Sequence, residues 1–169
     1  MFPLIISGIA HMLVVKKNSL SFLKIPINEK AFGANKTWRG IIVMPIFALI
    51  CILFIDYLEN AELIINHGFK TTSAWLGGPL LGLAYSLFEL PNSFIKRRLK
   101  IPPGKLASDH KFMFFFLDHL DSATGCILVY HFVFNFPWWI LLSLIPFAII
   151  IHTLINLLLY ALKIRQNPF

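Results

Sequence analysis

The amino-acid sequence predicts an all-α integral membrane protein that forms one domain with about five transmembrane helices. Three observations support this fold class: the chain is 57% hydrophobic, only 14% of its residues are charged, and its apolar residues fall into five long segments. A soluble domain has about a quarter of its residues charged. Composition therefore favours a chain that folds in the membrane, and no repeat or linker divides it into smaller units.

The five apolar segments alternate with polar loops. They cover residues 2–15, 39–55, 73–90, 112–136 and 138–162. A spanning helix needs about 20 apolar residues, so the first segment is the weakest candidate. It has no basic residues ahead of it and no small-residue cleavage site, which favours a retained helix over a signal peptide. The last two segments are divided only by a turn with Pro137 and two tryptophans typical of the membrane interface.

The positions of the 15 basic residues indicate the orientation of the chain. All but one fall in the first loop, the third loop, their flanks or the C-terminal tail, while the second loop holds only Lys70. The positive-inside rule then places the N-terminus outside, and the two basic loops and the C-terminus in the cytoplasm. The acidic residues of the second loop, Asp56, Glu59 and Glu62, are expected to be solvated. The predicted location is the cytoplasmic (inner) membrane, with a multi-pass topology and two functional cytoplasmic loops.

The net charge of +7 has a simple explanation in these loops. Basic cytoplasmic loops are common in membrane proteins, and they attract anionic lipid head groups. Because the basic residues lie between spans and not on an independent domain, we expect membrane lipids but no nucleic acid among the partners.

Three carboxylates lie at or near membrane depth, where a charged group costs about 3 kcal/mol on some scales and marks a functional site by default. Glu89 ends the third segment, whereas Asp118 and Asp121 lie three residues apart in the fourth and share one helical face. All three belong near the cytoplasmic side, where they would repel one another unless a cation neutralised them. Hard oxygen ligands suit Mg²⁺, so we expect these carboxylates to bind magnesium.

A purely structural role is the alternative for the two aspartates. No basic residue lies within the third or fourth segment, so a pairing lysine or arginine would have to come from a loop. His119 lies between the aspartates but points to a different helical face, and one histidine without a partner is weak evidence for zinc.

The stretch FGANKTWRG, residues 32–40, places charged and neutral hydrogen-bond donors just before an apolar segment. The donors are Asn35, Lys36, Thr37 and Arg39. The glycines on either side of them permit close backbone approach. A basic flank that only sets topology is the alternative, but such a signal needs neither the asparagine nor the threonine.

The stretch PNSFIKRRLKIPPGK, residues 91–105, follows the third apolar segment. Pro91 is expected to break the helix there, and a short amphipathic helix is expected to follow at the membrane interface. Its polar residues are Asn92, Ser93, Lys96, Arg97 and Arg98. A simple surface helix is the alternative, yet basic side chains beside a divalent cation are what polyphosphate binding requires. Two basic stretches beside one acidic site suggest a nucleoside triphosphate and a lipid phosphate that meet at the cytoplasmic surface.

Taken together, FGANKTWRG, SFIKRRLKIPPG and LDHLDS resemble, in that order, three signature stretches of the CDP-archaeol synthases, a family related to the CDP-diacylglycerol synthases. The resemblance covers most of the chain and includes the five-pass layout. It implies a transmembrane cytidylyltransferase domain over residues 1–169, which transfers CMP from CTP to a lipid phosphate, uses Mg²⁺ and releases pyrophosphate. Whether the acceptor is an archaeol-type phosphate or phosphatidate-like is left open, as is a homodimer.

The resemblance also implies roles for individual residues. Asp118 and Asp121 would be metal ligands and, with Lys96 and Arg97, catalytic residues. The resemblance makes Lys36, Thr37, Arg39, Ser93, Lys96 and Arg97 nucleotide- or phosphate-binding. The pattern of donors in the two basic stretches adds Asn35, Asn92 and Arg98 to the expected nucleotide contacts. The chain departs from the family at Asn35, where a histidine is more common, and at Phe88-Glu89, where a Gly-Asp pair is usual. The expected mechanism is in-line attack of the lipid phosphate on the α-phosphorus of CTP, with one or two cations held by Asp118, Asp121 and Glu89.

Two other functions remain as alternatives. A CTP-dependent lipid-alcohol kinase would use the same metal, nucleotide and membrane location but would transfer the γ-phosphate. A small transporter or lipid-binding protein would use the buried acids as a cation or proton path. A transport path needs polar groups that reach the outer leaflet, and His131 is the only good candidate there in the fourth segment.

Overall fold

The structure is a computed structural model that describes residues 2–64, 71–105 and 111–164. Lys70, which entered the orientation argument, lies outside these ranges. The helices are α1 (Phe2–Lys16), α2 (Glu29–Phe32), α3 (Trp38–Asn60), α4 (Thr71–Arg98), α5 (Lys111–Phe132), α6 (Trp138–Ser143) and α7 (Ile145–Ala161). No strand is present in these three ranges beyond one isolated bridge between Pro26 and Thr37. The predicted all-α class is therefore confirmed for this part of the chain.

Two of the described helices, α3 and α5, are long and apolar enough to cross a membrane. Helices α1 and α7 are apolar but shorter. On α3, large apolar side chains are exposed at every fourth position, at Ile42, Ile46, Ile50 and Phe54. Residues at this spacing share one helical face, and an exposed apolar face of this length is typical of contact with lipid. A membrane protein is supported, while the five-pass layout stays a prediction.

Helix α4 lies between α3 and α5 at the centre of the molecule, with α1 against α3 and α7 against α5. Two glycines of α4 allow its close approach to α3. A Cβ atom on Gly78 would lie 2.6 Å from the Leu49 Cα, and one on Gly82 would lie 2.4 Å from the Pro45 backbone. Small residues at such contacts are the usual means of close helix packing in membranes. The buried apolar core is formed by Ile52, Ala74, Leu81, Cys126, Tyr130, Phe134 and Leu141.

The prediction that Pro91 breaks the third helix is wrong. Helix α4 runs from Thr71 to Arg98 and contains both Pro79 and Pro91. Proline removes one backbone donor, a cost that a membrane helix tolerates when its neighbours hold the following turns. Here α5 holds them, because Asn92 and Lys96 both bond to its Asp118. The expected interfacial helix is therefore the last two turns of α4.

The fifth apolar segment is not one helix, contrary to the prediction. It divides into α6 and α7, which meet at Leu144. Pro146 lies in the first turn of α7, where its missing N–H needs no partner. In an uninterrupted helix the same proline would lose a hydrogen bond and clash with the preceding turn. The fourth segment also ends earlier than predicted, because α5 stops at Phe132.

Asp56 was expected to be solvated, but it is buried and only 7% exposed. It follows Ala48 and Ile52 at four-residue intervals, and both of those residues are fully buried. Residues at this spacing share a helical face, so Asp56 lies on the packed side of α3. Its Oδ2 accepts a hydrogen bond of 3.4 Å from the Asn60 side chain.

Candidate active site

Asn92 of α4 joins the two aspartates of α5. Its Nδ2 donates to Asp118 Oδ1 at 2.6 Å and to Asp121 Oδ2 at 2.9 Å. The three-residue spacing of the aspartates places both carboxylates on the face of α5 that contacts α4, as predicted. Asn92 is only 7% exposed, whereas 33% of the Asp118 side chain is exposed, so this polar contact is partly buried and open on the Asp118 side.

Lys96, one turn after Asn92, forms an ion pair with Asp118. Its Nζ lies 2.5 Å from Oδ1 and 2.6 Å from Oδ2, and it also lies over the Phe114 ring. This is the basic partner that a purely structural role would require. It comes from the last turns of α4 and not from a flexible loop, so the positive charge is held in a fixed place beside the carboxylates.

Lys36 connects the first polar stretch to α4 through an ion pair with Glu89. The backbone holds this lysine in place, because the Ile27 N–H donates to the Lys36 carbonyl at 2.9 Å and the Trp38 N–H donates to the Ile25 carbonyl at 3.0 Å. These two backbone hydrogen bonds hold the two ends of the segment from Ile25 to Trp38 together. A loop residue can therefore hold a defined position against a helix.

The three predicted carboxylates lie in one region, since Glu89 is close enough to Asp121 to repel it electrostatically. The partly buried Tyr85 interacts with both of these acids and hydrogen-bonds Ser122. Over the described ranges, however, no three His, Cys, Asp or Glu side chains are arranged to hold a single metal ion. The oxygen ligands available at the α4–α5 contact do suit a hard cation, because they come from two carboxylates and the side-chain amide of Asn92.

Arg97 faces the turn that contains Gly33 and Asn35. Gly33 has a φ of +91°, which favours glycine, and a Cβ there would lie 3.4 Å from Arg97 Nε and 3.3 Å from Asn35 Oδ1. The Nε and Nη1 atoms of Arg97 are buried and have no hydrogen-bond partner among the residues that the structure describes. Burial also lowers the pKa of the Arg97 guanidinium. Unpaired buried donors are costly, so these two are available to an anionic group of a ligand.

The other predicted nucleotide contacts are more dispersed. Arg39 is 4% exposed, and its Nη1 donates to the Ser19 carbonyl at 3.2 Å, which ties the start of α3 to the end of α1. Thr37 is the residue that precedes the first turn of α3. Ser93 is half-buried on α4, whereas Arg98 is exposed and stacks on the Phe94 ring at 4.7 Å.

Two histidines that were not predicted to belong to the site lie next to it. His11 of α1 packs against Gly40, where a Cβ would lie 3.6 Å from its Nε2, and it interacts with Glu89. A polar residue inside an apolar segment was the available signal. His119 points away from the carboxylates, as expected, and its Nε2 lies 3.1 Å from the Thr153 hydroxyl of α7.

Comparison with known proteins identifies the family. The family model of CDP-archaeol synthase matches residues 1–169. The chain belongs to the CDP-archaeol synthase family. This confirms the resemblance found in the three signature stretches. The structure brings the first and second together at Gly33 and Arg97, and the second and third through the ion pair of Lys96 with Asp118.

Curated members of the CDP-archaeol synthase family are similar along most of their length. The CDP-archaeol synthase of Methanopyrus kandleri is 27% identical over 150 residues, covering 86% of this chain and 76% of the relative. That of Staphylothermus marinus is 29% identical over 168 residues, covering 96% and 85%. That of Saccharolobus solfataricus is 28% identical over 142 residues, covering 83% and 75%. No solved structure matches this member of the family.

Proposed function

We propose that the protein is a Mg²⁺-dependent CTP:lipid-phosphate cytidylyltransferase that transfers CMP from CTP to an archaeol-type phosphate. The products are a CDP-activated lipid for phospholipid biosynthesis and pyrophosphate. Membership in the CDP-archaeol synthase family supports this reaction. The observation that carries the site assignment is the partly buried contact in which Asn92 and Lys96 of α4 meet Asp118 and Asp121 of α5.

The carboxylates would hold Mg²⁺ at the α4–α5 contact, with Asp118 and Asp121 as ligands and Glu89 close by. A bound Mg²⁺ ion would polarise phosphoryl oxygens and offset their negative charge. Lys96 and Arg97 would bind phosphate oxygens from the α4 side, and Lys36 would do so from the loop before α3. Asn35, Thr37, Arg39, Asn92, Ser93 and Arg98 are the further proposed nucleotide or phosphate contacts.

In the proposed reaction, an oxygen of the lipid phosphate attacks the α-phosphorus of CTP in line with the departing pyrophosphate. A new oxygen–phosphorus bond forms as the bond between the α-phosphorus and the bridging oxygen breaks, and the bonding electrons leave with pyrophosphate. No covalent enzyme intermediate is needed. Positioning of the two phosphates and stabilisation of the developing charge by Lys96 and Arg97 supply the rate enhancement.

We further propose a five-pass topology with the site at the cytoplasmic side of the inner membrane. The positions of the basic residues support it. So does the contact between Lys16 Nζ and the Leu162 carbonyl at 3.5 Å, because it joins the C-terminal ends of α1 and α7 on one side of the molecule. In a five-pass chain, the first and last helices both end on the cytoplasmic side.

The test uses purified protein in detergent with Mg²⁺, labelled CTP and two acceptors, an unsaturated archaeol-type phosphate and phosphatidate. We expect label in the archaeol-type lipid, release of pyrophosphate, and loss of both in Asp118→Asn. Formation of CDP and a lipid phosphate from a lipid alcohol would instead indicate the kinase. The family match favours cytidylyl transfer over the kinase and over a transporter. Absence of lipid-bound label with either acceptor would contradict the proposal.

A further inference from the structure

Asn92 lies at a distance from each aspartate that fits two neighbouring ligands of one metal ion. Its terminal amide nitrogen is 2.6 Å from Asp118 Oδ1 and 2.9 Å from Asp121 Oδ2. Mg²⁺ binds its ligands at about 2.1 Å in an octahedron, so neighbouring ligand oxygens lie about 3 Å apart. The end of the Asn92 side chain and the two carboxylate oxygens already have nearly this spacing.

The other end of the same amide is unpaired. Asn92 Oδ1 is buried and has no hydrogen-bond partner over residues 2–64, 71–105 and 111–164. A buried acceptor without a partner is costly, and nearly all such groups in proteins have one. The two ends of a carboxamide have nearly the same size, so rotation about the Cβ–Cγ bond exchanges the nitrogen for the oxygen without moving the helix.

We propose that Asn92 is a ligand of the metal held by Asp118 and Asp121, and that its side-chain amide flips about the Cβ–Cγ bond when the metal binds. This inference rests on the proposed Mg²⁺-dependent function. In the metal-free protein, the Nδ2 donor of Asn92 bonds both carboxylates, and Lys96 also bonds Asp118. With a divalent cation between the two aspartates, the oxygen of the amide faces the cation.

Glu89 is the ligand that Asn92 replaces. The Glu89 carboxylate already forms an ion pair with Lys36, and no three-residue acidic or histidine cluster suited to one metal ion is present in the described ranges. With Mg²⁺ bound, two carboxylates, a neutral amide and the ammonium group of Lys96 carry a net charge of about +1, which attracts the anionic phosphates. A third carboxylate ligand would cancel that positive charge.

Metal binding can be measured directly with Mn²⁺ as the probe, on purified protein without nucleotide, by electron paramagnetic resonance of free Mn²⁺. We expect Asn92→Leu, which keeps the shape but removes both polar atoms, to weaken Mn²⁺ binding at least tenfold. Asn92→Asp is the second variant, because it keeps an oxygen that can ligate but removes the donor. We expect it to bind Mn²⁺ at least as tightly as the wild type. The matched control is Glu62→Gln at an exposed position outside the site, which should change Mn²⁺ affinity less than threefold.

A role for Asn92 as a donor alone predicts the opposite result for Asn92→Leu, namely Mn²⁺ affinity equal to or above that of the wild type, because the carboxylates lose a donor that competes with the cation. That result would overturn the inference, as would weaker Mn²⁺ binding in Asn92→Asp or no Mn²⁺ binding by the wild type. If Asn92→Leu does not fold, Asn92→Ala provides the same comparison. Transfer of label to lipid is scored separately, so a protein that makes CDP-lipid but binds Mn²⁺ independently of Asn92 contradicts only this inference.

Discussion

Lys36, in the loop before α3, forms an ion pair with Glu89 on α4, 53 positions further along the chain. Both side chains are half-buried, with 24% and 26% of their surface exposed. Pairs with this degree of exposure usually contribute about 1 kcal/mol or less to stability. The pair is therefore better explained by what it positions: it places an ammonium group of the first signature stretch next to the carboxylates of the proposed site.

The first prediction concerns this lysine. Lys36→Ala should lower kcat/KM for CTP on the order of 10²-fold, because one positioned donor to a phosphate is removed, while unfolding free energy changes by about 1 kcal/mol or less. Initial rates and thermal unfolding in detergent measure the two effects. Lys30→Ala is the matched control, since Lys30 is exposed in the same loop and should leave activity near the wild-type value. A loss of activity no greater than that of Lys30→Ala would contradict the prediction.

The second prediction concerns the unpaired donors of Arg97. Arg97→Lys keeps the charge but cannot place two donors in the same plane. We expect the KM for CTP to rise about tenfold, with a smaller change in kcat, because a binding contact with phosphate is lost. Lys100→Ala, at an exposed position just beyond α4, should leave both constants unchanged. Unchanged KM in Arg97→Lys would show that these donors do not contact the nucleotide.

Most of the helices could be predicted because an apolar segment is a local signal. The three-residue spacing of Asp118 and Asp121 also correctly predicted that both side chains lie on the same face of α5. The continuity of α4 through Pro91 could not be predicted, because it depends on contacts of Asn92 and Lys96 with another helix. Pro146 was a sequence signal for the break between α6 and α7. It was not used, because it lies within a long apolar segment that was interpreted as one helix.

Contacts between helices also explain how a bulky residue fits at position 88, where the resemblance led us to expect glycine. The Phe88 ring occupies the side of α4 that faces Gly125 of α5. A Cβ on Gly125 would lie 2.6 Å from that ring and 2.8 Å from the Ala84 carbonyl. The bulky residue on one helix is thus matched by the small residue on the other. Such a pairing is not visible in either segment alone, because the residues are 37 positions apart.

The third prediction concerns the close contact of α3 and α4. Gly82→Ala should destabilise the protein by several kcal/mol, because its Cβ would lie 2.4 Å from the Pro45 backbone, which cannot move aside as a flexible side chain can. Gly8→Ala is the matched control, since a Cβ there meets nothing within 4 Å and alanine favours a helix. Thermal unfolding in the same detergent should show a large decrease for the first variant and none for the second. Equal stability of the two would mean that the helices are not in close contact at Gly82.

The fourth prediction concerns the link between α5 and α7. The Thr153 hydroxyl lies 3.1 Å from His119 Nε2 and 2.8 Å from the Ile149 carbonyl of its own helix. Thr153→Val keeps the shape but removes the hydroxyl, and it leaves a nitrogen of the buried His119 without this partner. We expect a loss of about 1–3 kcal/mol in unfolding free energy.

Thr124→Val separates this link from the general effect of removing a threonine hydroxyl. Thr124 Oγ1 also donates to a carbonyl one turn back in its helix, that of Leu120 at 2.6 Å, but the residue is exposed on α5. Its replacement should change stability by about 0.5 kcal/mol or less. Because His119 follows Asp118 directly, loosening of α7 should also reduce Mn²⁺ affinity in Thr153→Val but not in Thr124→Val. If the two variants have the same stability and the same metal affinity, α7 does not help to position the aspartates.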